Sequence, residues 1–196
     1  MTSNRLEAFS DGVMAIIITI MVLELHVPEG VELSDLKPLI PTFTSYLLSF
    51  IYVGIYWNNH HHLWQIVDSV NGKILWANLH LLFWLSLFPF TTSWLGENHI
   101  SAIPVACYGF VLFMAGVAWY IMARQVVKAE GKNSKVGNAY HNDSKTIASM
   151  IIYAVAIALA FYQPWISVTI YTLVAASWFI PDRRIEKLEQ PKNMGN

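Results

Sequence analysis

Six stretches of this chain are apolar over roughly the 20 residues that carry a helix across bilayer hydrocarbon. They fall at about 7–26, 41–63, 74–95, 101–123, 146–163 and 165–181. Lipid offers no partner to a backbone amide, so runs of this kind cross as helices, which close every backbone bond internally. The expectation is an all-α, polytopic membrane protein with six transmembrane helices, a single domain over residues 1–196. Composition agrees: only 13% of residues are charged and 55% are hydrophobic, where an ordinary soluble domain carries about 25% charge. The last two runs are short and meet at Gln163-Pro164, a turn signal. The first run is uninterrupted from Gly12 to Leu23 and resembles a signal peptide. Glu24-Leu25-His26 follows it, however, rather than the small residues of a cleavage site, so it is expected to stay.

The placement of basic residues tests the topology independently. With a cytoplasmic N-terminus, six spans put Arg5, Lys73, Arg124, Lys128, Lys132, Lys135, Lys145, Arg183, Arg184, Lys187 and Lys192 on one side. Lys37 alone lies on the other. That asymmetry is the positive-inside pattern and sets both termini in the cytoplasm. Trp64, Trp76, Trp94, Tyr120, Trp165 and Trp178 fall near span ends, as an aromatic belt requires. A net charge of −1 argues against nucleic acid as a partner. The single cysteine, Cys107, lies in an apolar run and reads as a small buried hydrophobe. Loop 124–145 reads as a mobile polar connector, 27–40 as an outer loop with a short helix after Ser34, and Asp182–Asn196 as a charged helix end. The first three spans do not resemble the last three.

Chemistry concentrates in the run Arg5-Leu-Glu-Ala-Phe9-Ser10-Asp11-Gly12 at the head of the first span. A carboxylate entering the membrane is normally paired or faces water, since its insertion near mid-bilayer costs about 2.5–3.5 kcal/mol. Asp11 is thus either the anchor of a buried network or an acid favoured by the helix macrodipole. At 100° per residue, Ile16, Ile20 and Leu23 lie within about 60° of one another with Thr19 beside them, and Asp11 stands roughly 140° away. That stripe lines something, packs on a neighbour or faces lipid; periodicity favours the last two. The second span ends Trp57-Asn58-Asn59-His60-His61-His62-Leu63-Trp64. Consecutive helical positions diverge by about 100°, so three adjacent histidines cannot ligate one ion, and no other cluster has metal-ligand spacing. Topology puts this end level with Arg5 and Asp11. A contact from Asp11 or Ser10 to a histidine is therefore geometrically open, and Asn78 and His80 on the third span could join it.

On these residues the chain resembles the transmembrane protein 175 family of potassium channels. The likeness rests on Arg5-x-x-x-Phe9-Ser10-Asp11 and on Trp57 with His60-His61. It implies a homotetramer of six-span subunits around a central pore lined by the first span, with no carbonyl selectivity filter. Counted from Asp11, it implies Ile16, Ile20 and Leu23 as pore constriction and Thr19 as a polar pore position. It implies Arg5, Ser10, Asp11, His60 or His61, and Asn78 as an inter-helix network, the third-span partner being Trp76, Asn78 or His80. The implied partners are further copies of the chain, the bilayer, and potassium with other monovalent cations. No cofactor is implied, and the setting is the inner membrane of a prokaryote.

Four copies of the aliphatic stripe would form stacked apolar rings that dewet when narrow. Potassium sheds water more readily than sodium, so such a pore would favour it modestly. A proton-coupled secondary transporter using Asp11 and the histidines is the alternative. It calls for paired, Gly/Pro-broken spans, and the membrane-depth candidates Gly54, Pro89 and Gly109 do not pair. An enzyme is not expected: neither Gly-x-Ser-x-Gly nor His-Glu-x-x-His occurs.

Overall fold

The computed structural model describes residues 3–67, 70–140 and 143–179. The charged tail Asp182–Asn196, with Arg183, Arg184, Lys187 and Lys192, lies outside them. Every regular element among the described residues is a helix: α1 (Ser3–Leu23), a 3-10 helix (Leu33–Leu39), α2 (Ile40–Gln65), α3 (Gly72–Leu85), α4 (Phe88–Glu97), α5 (Ala102–Glu130), α6 (Lys135–Tyr140), α7 (Ser144–Ala160) and α8 (Pro164–Trp178). Ser3–Leu23, Leu33–Gln65, Gly72–Glu97 and Ala102–Glu130 are long and apolar enough to cross a membrane. α7 and α8 have 17 and 15 residues, slightly under the usual span length.

The helix ends have local causes. Asn71 caps α3, its side-chain oxygen accepting from the amides of Lys73 and Ile74 at 3.0 Å each. Asp143 caps α7 through the Thr146 amide. Pro164 occupies the first turn of α8, where its missing N–H costs nothing. The 3-10 helix is capped by Glu32 rather than by Ser34, with the Glu32 amide donating to Asp35 Oδ2 at 2.9 Å. The third apolar run is not one helix. Pro89 has no amide to give to the preceding turn, and the chain breaks at Ser86-Leu87 into α3 and α4. α5 runs on through Arg124 and Lys128 to Glu130, ending at Gly131 with φ 94°, a region glycine enters without strain. Much of the polar stretch 124–145 is therefore helical, because α6 folds back and buries Val136, Ala139 and Tyr140.

α5 is the centre of the bundle, packed by α3, α4, α7 and α8, while α1 leans on α2, α3 and α4 at the edge. The degree of cover follows: 61% of the apolar window of α5 is buried against 28% of that of α1. Between α2, α7 and α8 the core is aromatic and hydroxylated. Tyr153 donates to Tyr52 at 3.2 Å, and Tyr52 donates to the Tyr171 carbonyl at 2.6 Å. Deeper in, the Ser49 hydroxyl lies 2.6 Å from that of Thr92 and 2.9 Å from that of Tyr108. Buried hydroxyls satisfied in this way tie helices together where lipid tails give no hydrophobic drive to do so.

Candidate functional site: a buried polar cluster behind an uncovered helix face

α1 presents two faces. Leu6, Ser10, Met14, Ile17 and Met21 recur at intervals of three and four and are buried, the spacing of a single helical stripe. On the other side Ile16, Ile20 and Leu23 are 58%, 42% and 79% exposed, and Thr19 is exposed beside them. No part of the chain's own described fold covers that stripe. The Thr19 hydroxyl donates to the Ile16 carbonyl at 2.9 Å. That bond uses its proton and leaves the oxygen lone pairs outward.

The buried face is fixed by a polar cluster. Asn78, fully buried on α3, donates through Nδ2 to Ser10 Oγ at 3.0 Å, and Ser10 donates onward to the Leu6 carbonyl at 2.9 Å. On α2, Nε2 of the buried His60 lies 2.8 Å from Asn78 Oδ1 and 2.8 Å from the indole nitrogen of Trp64. A neutral ring nitrogen either donates or accepts. Nε2–H therefore donates to Asn78, or bare Nε2 accepts from Trp64, and each arrangement excludes the other. Within the cluster, two buried polar atoms have no hydrogen-bond partner: Nδ1 of His60 and Oδ1 of Asp11. Asp11 itself is half-buried.

His61 does not join this cluster. Its Nδ1 lies 2.6 Å from Glu7 Oε1, and its ring stacks on Trp57 at 6.0 Å and 16°. α1 is thus held to α2 directly by the half-buried Glu7–His61 pair, and indirectly by Asn78 of α3, which bridges Ser10 to the buried His60. Arg5 is exposed and makes no ion pair or side-chain hydrogen bond among the described residues. Of the possible third-span partners, Asn78 points into the cluster, Trp76 is exposed, and His80 accepts from Trp84 within α3. Two further residues join these contacts, Trp64 and Glu7. Trp64 sits one helical turn from His60, and that spacing was available as a signal. Glu7 occupies the same membrane level as the histidines. At the far end of α1, the Ser93 hydroxyl lies 3.1 Å from Glu24 Oε2 and 3.0 Å from Glu97 Oε1. Two carboxylates thus converge just beyond Leu23. Among the described residues no group of three or more His, Cys, Asp or Glu comes together to hold a metal ion.

The helices and the cluster define an integral membrane protein whose first helix is pinned on one side and bare on the other. The family model for the endosomal/lysosomal potassium channel TMEM175 matches residues 5–89, which hold both the cluster and the bare face. A protein of Chryseobacterium sp. (strain P1-3) named potassium channel HX13_20290 is 57% identical over 95% of this chain and 97% of its own length. A Streptomyces collinus potassium channel is 32% identical over 62% of this chain and 65% of its own. The crystal structure of a lysosomal potassium-selective channel TMEM175 homologue from Chamaesiphon minutus superposes with a TM-score of 0.77 at 28% identity, covering 93% of this chain and 97% of that one. The chain belongs to the TMEM175 family, a family of ion channels and not of enzymes.

Proposed function

We infer that this protein is a potassium-permeable cation channel in which four six-span subunits surround an axis with the bare face of α1 inward. The observation that carries the reading is the stripe Ile16, Thr19, Ile20 and Leu23, uncovered while the opposite face of the same helix is locked by Ser10 and its partners. The names of the relatives at 57% and 32% identity support potassium as the permeant ion. In this reading α3 and α4 together make one span, both termini lie in the cytoplasm, and the protein resides in a prokaryotic inner membrane.

The mechanism follows from the side chains. Rings of Ile16, Ile20 and Leu23 offer no oxygen to replace hydration, so a narrow pore dewets and blocks flow. When it widens, a partly hydrated ion passes, and the cheaper dehydration of potassium gives modest selectivity over sodium. Thr19 oxygens, their protons committed to Ile16 carbonyls, supply lone pairs to the passing ion. Glu24 and Glu97 near the outer end of α1 raise the local cation concentration. The transporter alternative called for paired breaks; the break between α3 and α4 has no counterpart within α5, α7 or α8.

Potassium and sodium flux into proteoliposomes tests the reading. Ile16→Asn and Leu23→Asn are expected to raise flux and lower the potassium preference, because an amide wets the ring. Flux identical to wild type in both variants would remove α1 from the pore.

A further inference from the structure

A partly open cavity lies within the single subunit, remote from the bare face of α1, where α2, α5, α7 and α8 meet. Its polar walls are Tyr56 and Asn59 from α2, Thr146, Ser149 and Tyr153 from α7, and Trp178 from α8. Thr146 is 3% exposed, and its hydroxyl has no hydrogen-bond partner. A buried hydroxyl left in this state is costly and calls for an occupant.

The other walls show which bonds are already taken. Ser149 donates to the Lys145 carbonyl and accepts from the Trp178 indole. Asn59 donates to the Ile55 carbonyl, which leaves its carboxamide oxygen as an acceptor. Tyr153 donates to Tyr52 and keeps its lone pairs. The space is about 30 Å³. A small-molecule site needs roughly 300–1,000 Å³, whereas one water needs about 10–15 Å³ and two to four polar partners. A cation is disfavoured: the cavity has no carboxylate wall, and the Lys145 ammonium sits 4.4 Å above the Trp178 ring. A dry void is disfavoured as well, because cavities that stay empty are apolar.

We propose that this cavity is a permanent internal water site holding two molecules, one of them accepting the Thr146 hydroxyl proton. The water joins α7 to α2 through Asn59 and Tyr153. It does not extend into a proton path, because the hydroxyl chain from Tyr153 through Tyr52 ends on the Tyr171 carbonyl, which cannot pass a proton on.

The sign of a melting shift tests this. In the full-length protein purified in detergent, Thr146→Val removes the hydroxyl at nearly constant shape. With water present the variant melts several degrees lower, and Thr146→Ser restores the wild-type value. If the cavity is dry, Thr146→Val removes an orphan hydroxyl and melts higher; an unchanged or raised melting temperature overturns the proposal. Radiolytic footprinting of the wild type needs no variant. Bound water is expected to give Tyr153 oxygen uptake well above that of Tyr108, which is also buried but does not line this cavity. Equal protection of both tyrosines also overturns it.

Discussion

At the scale of single residues, the fixing of α1 depends on one carboxamide. Asn78 spends its nitrogen on Ser10 and its oxygen on His60, so it ties α3 to α1 and α2 at once. Replacing it with leucine keeps the volume and strands both partners in an apolar surround. A buried group left unsatisfied costs about 1–3 kcal/mol. Asn78→Leu is therefore expected to lower the melting temperature of the detergent-solubilised protein by several degrees; a variant as stable as wild type would mean the cluster is not holding α1. His60 offers a second test. Its Nε2 cannot serve Asn78 and Trp64 together, and moving the proton to Nδ1 exposes it to a site with no acceptor bond in place. The Nε2–H tautomer that donates to Asn78 is expected to dominate, and ¹⁵N chemical shifts of histidine-labelled protein would show it. A dominant Nδ1–H form would reverse the direction of the cluster and hand Nε2 to Trp64.

At the scale of helices, α2 and α4 meet backbone to backbone. A Cβ built on Gly96 would stand 2.6 Å from the Thr42 Cα, backbone that cannot give way as a flexible side chain does. Gly96→Ala must therefore push α4 away from α2, an overpacking error that costs about 1–3 kcal/mol. The expected result is a lower melting temperature and loosened amide protection along α4 in hydrogen exchange, with α5 little changed. The same helices show how far sequence carries. Apolar length located the runs that fold as long apolar helices, because hydrophobicity is a sum over many residues and survives local detail. The break at Ser86-Leu87 was written in Pro89 but hidden inside a run that stays apolar on both sides. The helical continuation to Glu130 escaped because α6 covers it, a tertiary contact that polar composition cannot report. In the site, Asp11 drew notice as the charged group, yet the bond to α3 is made by Ser10, which lies at the middle of the buried face. Charge is conspicuous in a sequence; which flank of a helix meets its neighbour depends on packing.

At the scale of the whole molecule, the subunit leaves two apolar helix stripes uncovered. Ile16, Ile20 and Leu23 stand exposed along α1, and so do Ile151 and Val155 along α7. Lipid satisfies either stripe equally, so exposure alone does not tell an axis from a periphery. Symmetry does. If four copies close around α1, every Leu23 has another Leu23 across or beside it, while Ile151 faces lipid and meets its own counterpart nowhere. Single cysteines read this directly once the native Cys107 is replaced by serine. Leu23→Cys and Ile16→Cys are expected to join copies efficiently with a short thiol cross-linker in membranes, giving a dimer band on denaturing gels. Ile151→Cys, equally accessible, is expected to give none. The pattern depends on which face looks inward and not on which ion permeates, so it separates the architecture from the selectivity. Strong linkage through position 151 with none through 16 or 23 would put α7 at the axis and leave α1 against lipid, and the aliphatic rings would then gate nothing.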